Sequence, residues 1–219
     1  MKSEDSAAEL EKLFKTVAKM ETRLTMLEDI EAIKKLHRAY GYYLEHWQDD
    51  EIVELFSHNP DVSVEINATG LYKGWEAIKA SYRFADHYTA YKGAKKAPPD
   101  YLHILMPIAG IVDVDSGGKT AKGRWYGFFL GAMPRPRKVR ALIGATIWEN
   151  EYIKEDGTWK FLKLFANDII CSPLDEGWVK TPYLVNTRKT VAPSPNVHFQ
   201  HYPSGYIFPY HYKNPVTGK

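Results

Sequence analysis

His103 stands in an otherwise apolar stretch, Tyr101-Leu-His-Ile-Leu-Met, and Glu45 closes a helical stretch rich in tyrosine. A free imidazole titrates near pH 6.5, so a modest shift sets it to give or take a proton at neutral pH. A carboxylate can share that work when burial raises its pKa, whereas a nearby imidazolium lowers it. Each residue also has a plainer reading, His103 as a hydrogen-bonded core side chain and Glu45 as a helix-end carboxylate paired with a surface cation. Arg124 and Trp125 are neighbours on an alternating stretch, so only one of them can face a cavity. Tyr40, Tyr42 and Tyr43 point in different directions around a helix, so at least one of them is packing. Trp148 and Asn150 share a strand face, the first suited to a pocket wall and the second to donating a hydrogen bond. An acid–base pair with nearby hydroxyls suits elimination or isomerisation, in which one group removes a proton and another helps an oxygen leave.

No HExxH or similar spacing links the eight histidines, and neither GxGxxG nor GxxxxGK[ST] occurs, so neither a metal nor another cofactor is expected. Twenty-nine basic residues nearly balance 27 acidic ones, and the net +2 is spread along the chain. Such a balance argues against nucleic acid and membrane surfaces as partners and favours a small aromatic molecule. The basic tip Arg135-Pro-Arg-Lys-Val-Arg140 reads as a solvated turn or a subunit contact. With Cys171 alone, no internal disulfide can form, and the charged opening MKSEDSAAELEKLF is unlike an export signal. A cytoplasmic protein is expected.

Elements that would position these residues can be read in order. Leu10, Leu13, Val17, Met20, Leu24 and Leu27 repeat at alternating steps of three and four, a heptad seam for a helix over residues 1–28. That seam is covered either by a neighbouring subunit or by the helix's own domain. Asp29 reads as the N-cap of a second helix that carries Ile30, Ile33, Leu36, Tyr40, Tyr43 and Leu44 to about His46. A short helix around Ile52–Phe56, a strand at 62–66 and a helix from Gly74 to about Tyr88 follow. Four long strands are expected at 102–115, 120–131, 139–154 and 158–168, with turns at Asp115-Ser-Gly-Gly and Glu155-Asp-Gly. The pattern predicts an α+β domain over 29–171 with a curled antiparallel sheet against the helices. Residues 172–219 are rich in Pro, Tyr and His and read as an ordered arm, packed on this chain or a neighbour or capping the pocket.

The run Asp29-Ile-Glu-Ala-Ile-Lys-Lys-Leu-His-Arg-Ala-Tyr-Gly-Tyr-Tyr-Leu-Glu, then Glu51-Ile-Val-Glu-Leu-Phe, resembles the opening of SnoaL-like proteins of the nuclear transport factor 2-like superfamily. Leu102-His103-Ile-Leu, Gly123-Arg124-Trp125, Glu149-Asn-Glu-Tyr and Asp156-Gly-Thr-Trp-Lys-Phe extend the resemblance over roughly 29–168. It implies a cone-shaped fold around one deep pocket, but not one activity, since the superfamily holds dehydratases, isomerases, cyclases and non-catalytic subunits.

Within the superfamily the chain looks most like scytalone dehydratase-related lyases, and its NPVTGK ending is similar to that of bacterial lyases removing formaldehyde from lignin-derived diaryl compounds. The resemblance puts Glu45 at the dehydratase's catalytic helix Asp and His103 at a strand His. The second catalytic His falls near Gly131, and the substrate-binding Ser and Asn fall near Thr146 and Trp148. The expected catalytic set is Glu45, His103, Tyr43 and Arg124, with Tyr42, Tyr82, Trp125, Thr146, Trp148 and Asn150 binding substrate. The expected activity is a cofactor-independent lyase in a homo-oligomer that releases formaldehyde, with loss of water, from a lignin-derived diaryl-propanediol or related dimer to give a stilbene; the alternatives are a dehydratase, isomerase or cyclase of an aromatic or polyketide substrate, or a non-catalytic ligand-binding or structural subunit.

Overall fold

The computed structural model describes residues 2–66, 70–87, 91–133, 139–183 and 200–219. The predicted helix end at Tyr88, most of the basic tip and the arm over 184–199 lie outside them. Helix α1 runs unbroken over Lys2–His46. The expected N-cap at Asp29 is thus mid-helix, because no Gly or Pro interrupts residues 21–40. Asp29 has a different task. Its carboxylate is 5% exposed and accepts hydrogen bonds from Lys154 Nζ at 2.7 Å and Trp159 Nε1 at 2.8 Å, tying the rod to the sheet.

Helix α2 (Asp49–Glu54) buries Ile52 and Val53, and strands β1 (Ser63–Ile66) and β2 (Gly70–Lys73) form a short hairpin that the sequence reading only half anticipated. The predicted third helix is broken into α3 (Trp75–Ser81) and α4 (Phe84–His87). At the break, the Phe84 amide donates to Asp49 Oδ2 at 3.2 Å. The four long strands are β3 (Leu102–Val114), β4 (Thr120–Met133), β5 (Arg140–Glu155) and β6 (Thr158–Pro173). Helix α5 (Gly177–Lys180) follows.

One six-stranded sheet has the order β2-β1-β6-β5-β4-β3. Its pairs are antiparallel except β1 with β6, which is parallel. Both predicted hairpin turns are present. At the β5–β6 turn, Asp156 and Gly157 have φ of 48° and 80°, the mirror-image geometry that matches strand twist. Register shifts at Ile108/Ile111, Ala145/Thr146 and Glu151/Tyr152 let the long strands bend. Asn150 sits beside the last of these. Its Oδ1 accepts the Phe165 amide at 3.1 Å and its Nδ2 donates to Tyr152 Oη at 3.2 Å.

The curled, unclosed sheet wraps the C-terminal half of α1. Ile33, Tyr40 and Leu44 meet Phe56, Phe161, Leu164 and Trp148 in one core, where burying each large apolar side chain contributes about 2 kcal/mol. The arm returns to the outer face of the same sheet. Asn167 and Gln200 exchange hydrogen bonds at 2.8 and 3.2 Å, the Tyr202 amide donates to the Ile169 carbonyl at 2.8 Å, and Phe208 is buried against Phe165. Among the described residues no helix is long and apolar enough to cross a membrane.

Candidate active site

The contact between α1 and β3 fixes the site. Gly41 is buried, and a Cβ there would lie 2.5 Å from the Leu105 carbonyl oxygen, so only glycine lets the helix backbone rest on the strand. Six residues on, the Trp47 ring lies 5.1 Å from Tyr101. Helix and strand therefore run in opposite directions, and the level between these contacts holds Glu45 and His103. Glu45 follows Gly41 by one turn on the same side of the helix, and His103 shares the inward face of β3 with Leu105 and Tyr101.

Glu45 is half-buried and makes no side-chain hydrogen bond or ion pair among the described residues. His103 is also half-buried, with Nδ1 3.0 Å from Tyr101 Oη. That partner serves both tautomers. With Nδ1 donating to the tyrosine oxygen, Nε2 is the unprotonated, basic nitrogen; with the tyrosine donating, Nε2 carries the proton as an acid.

Phe129 forms the floor beside the histidine. Its ring meets His103 edge-on at 4.8 Å and occupies the space above Gly131, where a Cβ would come within 2.3 Å of it. The same ring reaches Gly144, 3.0 Å from where a Cβ would be. Beyond Gly144, on the same inward face, Thr146 Oγ1 donates to Asp168 Oδ1 across the β5–β6 register. Asp168 is partly exposed. Its carboxyl is pushed up to about 6 by desolvation, against the opposing pull of the Thr146 hydrogen bond. It can therefore hold its proton close to neutral pH. Behind it, Tyr40 and Tyr82 share a buried hydrogen bond at 2.9 Å, and burial holds both phenols well above the usual range, fixing them as neutral hydroxyls. Among the described residues no group of three His, Cys, Asp or Glu is gathered as a metal would require.

A model of the SnoaL-like domain matches residues 25–164. The chain belongs to the SnoaL-like family. No curated protein matches it. Among solved structures it is similar to LinA-type3 hexachlorocyclohexane dehydrochlorinase from Novosphingobium barchaimii, at 19% identity over 69% of this chain and 94% of that one, with a TM-score of 0.55. A LinA type 2 dehydrochlorinase gives 20% identity over 69% and 93%, with a TM-score of 0.54. A putative scytalone dehydratase from Novosphingobium aromaticivorans gives 18% over 80% and 98%, also at 0.54. At these identities the likeness is one of fold.

In this SnoaL-like frame the expected site residues separate into groups. Glu45, His103, Thr146 and the partly buried Tyr43 belong to the inner region, while Tyr82 is fully engaged with Tyr40. Trp125 and Trp148 face inward but close on His37, at 4.8 and 4.3 Å, and Trp125 Nε1 donates to Tyr152 Oη at 3.0 Å. They are walls of the closed end. Asn150 is spent on the bulge.

Two expectations are corrected. Arg124 points to the outer face, as strand alternation demands once Trp125 is inside. There it pairs with Glu149, donates to the Pro209 carbonyl at 3.2 Å and lies 4.3 Å from the Tyr210 ring centre. It anchors the arm. Tyr42 is 68% exposed on the far side of α1 and cannot reach the interior of its own chain.

The sequence reading missed Asp168, Tyr101, Phe129 and His37. Asp168 continues the inward series Leu164, Ala166, Asp168, and a carboxylate in that register was the available signal.

Proposed function

We propose that this SnoaL-like protein is a cofactor-independent lyase that eliminates across a phenolic small molecule. The specific substrate class is a lignin-derived diaryl-propanediol, which would yield a stilbene, formaldehyde and water. What supports the reading is register: the contacts of Gly41 with Leu105 and of Trp47 with Tyr101 bracket Glu45 and His103, and the Phe129 ring lies against His103. The sequence resemblance to formaldehyde-releasing lyases supports the choice of substrate.

The chemistry balances without an oxidant. Loss of the phenol proton pushes electrons through the ring and expels the benzylic hydroxyl as water once an acid protonates it, leaving a quinone methide. A base then removes the terminal hydroxyl proton, and the carbon–carbon bond to CH2OH breaks. Its electron pair restores the ring, and formaldehyde departs. His103, polarised by Tyr101, and Glu45 move the protons, while Asp168, whose carboxyl desolvation pushes up to about 6, assists the leaving hydroxyl as an acid. The aromatic rings lie on Phe129, and Tyr43 is the hydroxyl donor left for the phenolate once Tyr42 is turned outward and Tyr82 is paired.

The purified protein, incubated with such a diol, is expected to release formaldehyde and a product lighter by CH2O and H2O, seen by mass spectrometry. Glu45→Gln and His103→Ala should each slow turnover by about 10²–10⁴-fold with the fold intact by circular dichroism. Wild-type rates in both variants would overturn the assignment of the pair. A product of unchanged mass would move the reading to isomerase.

A further inference from the structure

The N-terminal half of α1 leaves the cone. Residues 6–28 are all exposed, and the six heptad residues Leu10, Leu13, Val17, Met20, Leu24 and Leu27 are between 42% and 63% accessible. The reading in which this helix lies on its own domain is therefore excluded. At 100° per residue the seam is centred roughly 160° around the helix from the face of Ile33, His37, Tyr40 and Leu44 that the sheet covers. No bend of the domain could reach it. Apolar residues on an exposed rod at a strict 3.5-residue period match a partner helix rather than a globular surface.

We propose that this seam is the self-association surface of the protein, closed by a second copy of the same helix in parallel and in register. Charge argues for that orientation. With Leu10, Val17 and Leu24 at a and Leu13, Met20 and Leu27 at d, the flanking g column is Glu9, Thr16 and Arg23, and the e column is Phe14, Glu21 and Glu28. Parallel strands bring Arg23 of one copy to Glu28 of the other, twice by symmetry. Antiparallel strands would set the e column, which has two Glu and no cation, against itself and leave Arg23 only Thr16 and Glu9 of the g column to face. The parallel pair also turns both cones outward, because the seam and the domain face lie on opposite sides of each helix. This proposal is independent of the reaction assigned above.

Sedimentation of the full chain at tens of micromolar is expected to give twice the chain mass, and Leu13→Glu with Met20→Glu to give a single chain. Arg23→Glu alone should weaken association roughly fivefold, and Arg23→Glu with Glu28→Arg should restore it, a rescue that mere surface charge would not produce. Register is read by disulfide trapping with Leu10→Cys, the wild type with its sole Cys171 being the control. Parallel pairing places position 10 beside its own copy and predicts a rapid cross-link. Trapping only when Leu10→Cys is mixed with Leu27→Cys would overturn the parallel assignment. A single-chain wild type, or a mass that the Glu substitutions leave unchanged, would overturn the seam.

Discussion

Desolvation shifts the buried His37 and the partly exposed Asp168 with opposite effects on stability. His37 is fully enclosed by Trp125, Trp148, Phe161 and Tyr40, neither ring nitrogen has a hydrogen-bond partner among the described residues, and desolvation pushes its pKa down to about 3. Between about 6.5 and 3 the unfolded chain binds a proton that the native state refuses, so stability is lost as pH falls through that window. His37→Phe should flatten the acid limb of a denaturant-midpoint profile; an unchanged limb would show that another group sets it. Asp168 works the other way. Its native carboxyl keeps a proton that the unfolded chain releases between 3.8 and about 6, so its stabilising share is lost as pH rises through the window and the burial cost stands in full above it. At about 1.4 kcal/mol per unit the ceiling is near 3 kcal/mol, reduced because the residue is partly exposed. Asp168→Asn should raise the melting temperature at pH 7.5 while slowing elimination at least tenfold. A stabilised variant with full activity would make the carboxyl incidental.

At the scale of elements, the α1–β3 contact at Gly41 sets the level of the acid–base pair. Gly41→Val places branched carbon where the Leu105 carbonyl lies 2.5 Å from an ideal Cβ, so the helix must lift. Overpacking of this kind costs about 1–3 kcal/mol, and the displacement of Glu45 from His103 should lower kcat by tenfold or more with little change in KM. Equal losses in kcat and in folded fraction would reduce the effect to stability alone. This contact also marks what a linear pattern conveys. The long strands, both hairpin turns and the heptad seam were legible because their signals are local, carried by period and by turn glycines. Glu45 and His103 stood out by residue type, and only the resemblance proposed roles for them. Asp29 misled because an acidic residue before an apolar run has the form of a cap, whereas its partners Lys154 and Trp159 lie far along the chain. Arg124 misled because alternation says that one of two neighbours faces inward without saying which, and the arm that claims it is a tertiary event. Asp168 was hidden by its place at the expected end of a strand, since β6 continues to Pro173.

On the scale of the whole molecule, the chain divides its labour among faces. The inner face of the sheet and the domain side of α1 hold the polar groups and the aromatic floor, the outer face takes the arm through Arg124, Asn167 and Phe165, and the free half of the rod is left for association. The proposed association thus draws on a surface separate from the inner face, whereas the chemistry proposed there shares Asp168 and Gly41 with the stability of the fold. Phe129 over Gly131 bears on what the inner face can accept. The ring fills the space beside Gly131 near which the family resemblance would set a second histidine. In the reaction proposed above the substrate brings the driving force itself, the electron push of an ionisable phenol. An O-methyl ether of the same diol has nearly the same shape and apolar surface but cannot form the quinone methide. It is expected to occupy the cavity unchanged and to act as a competitive inhibitor with a Ki near the KM of the phenol. Turnover of the ether would mean that the protein, rather than the substrate, supplies the push.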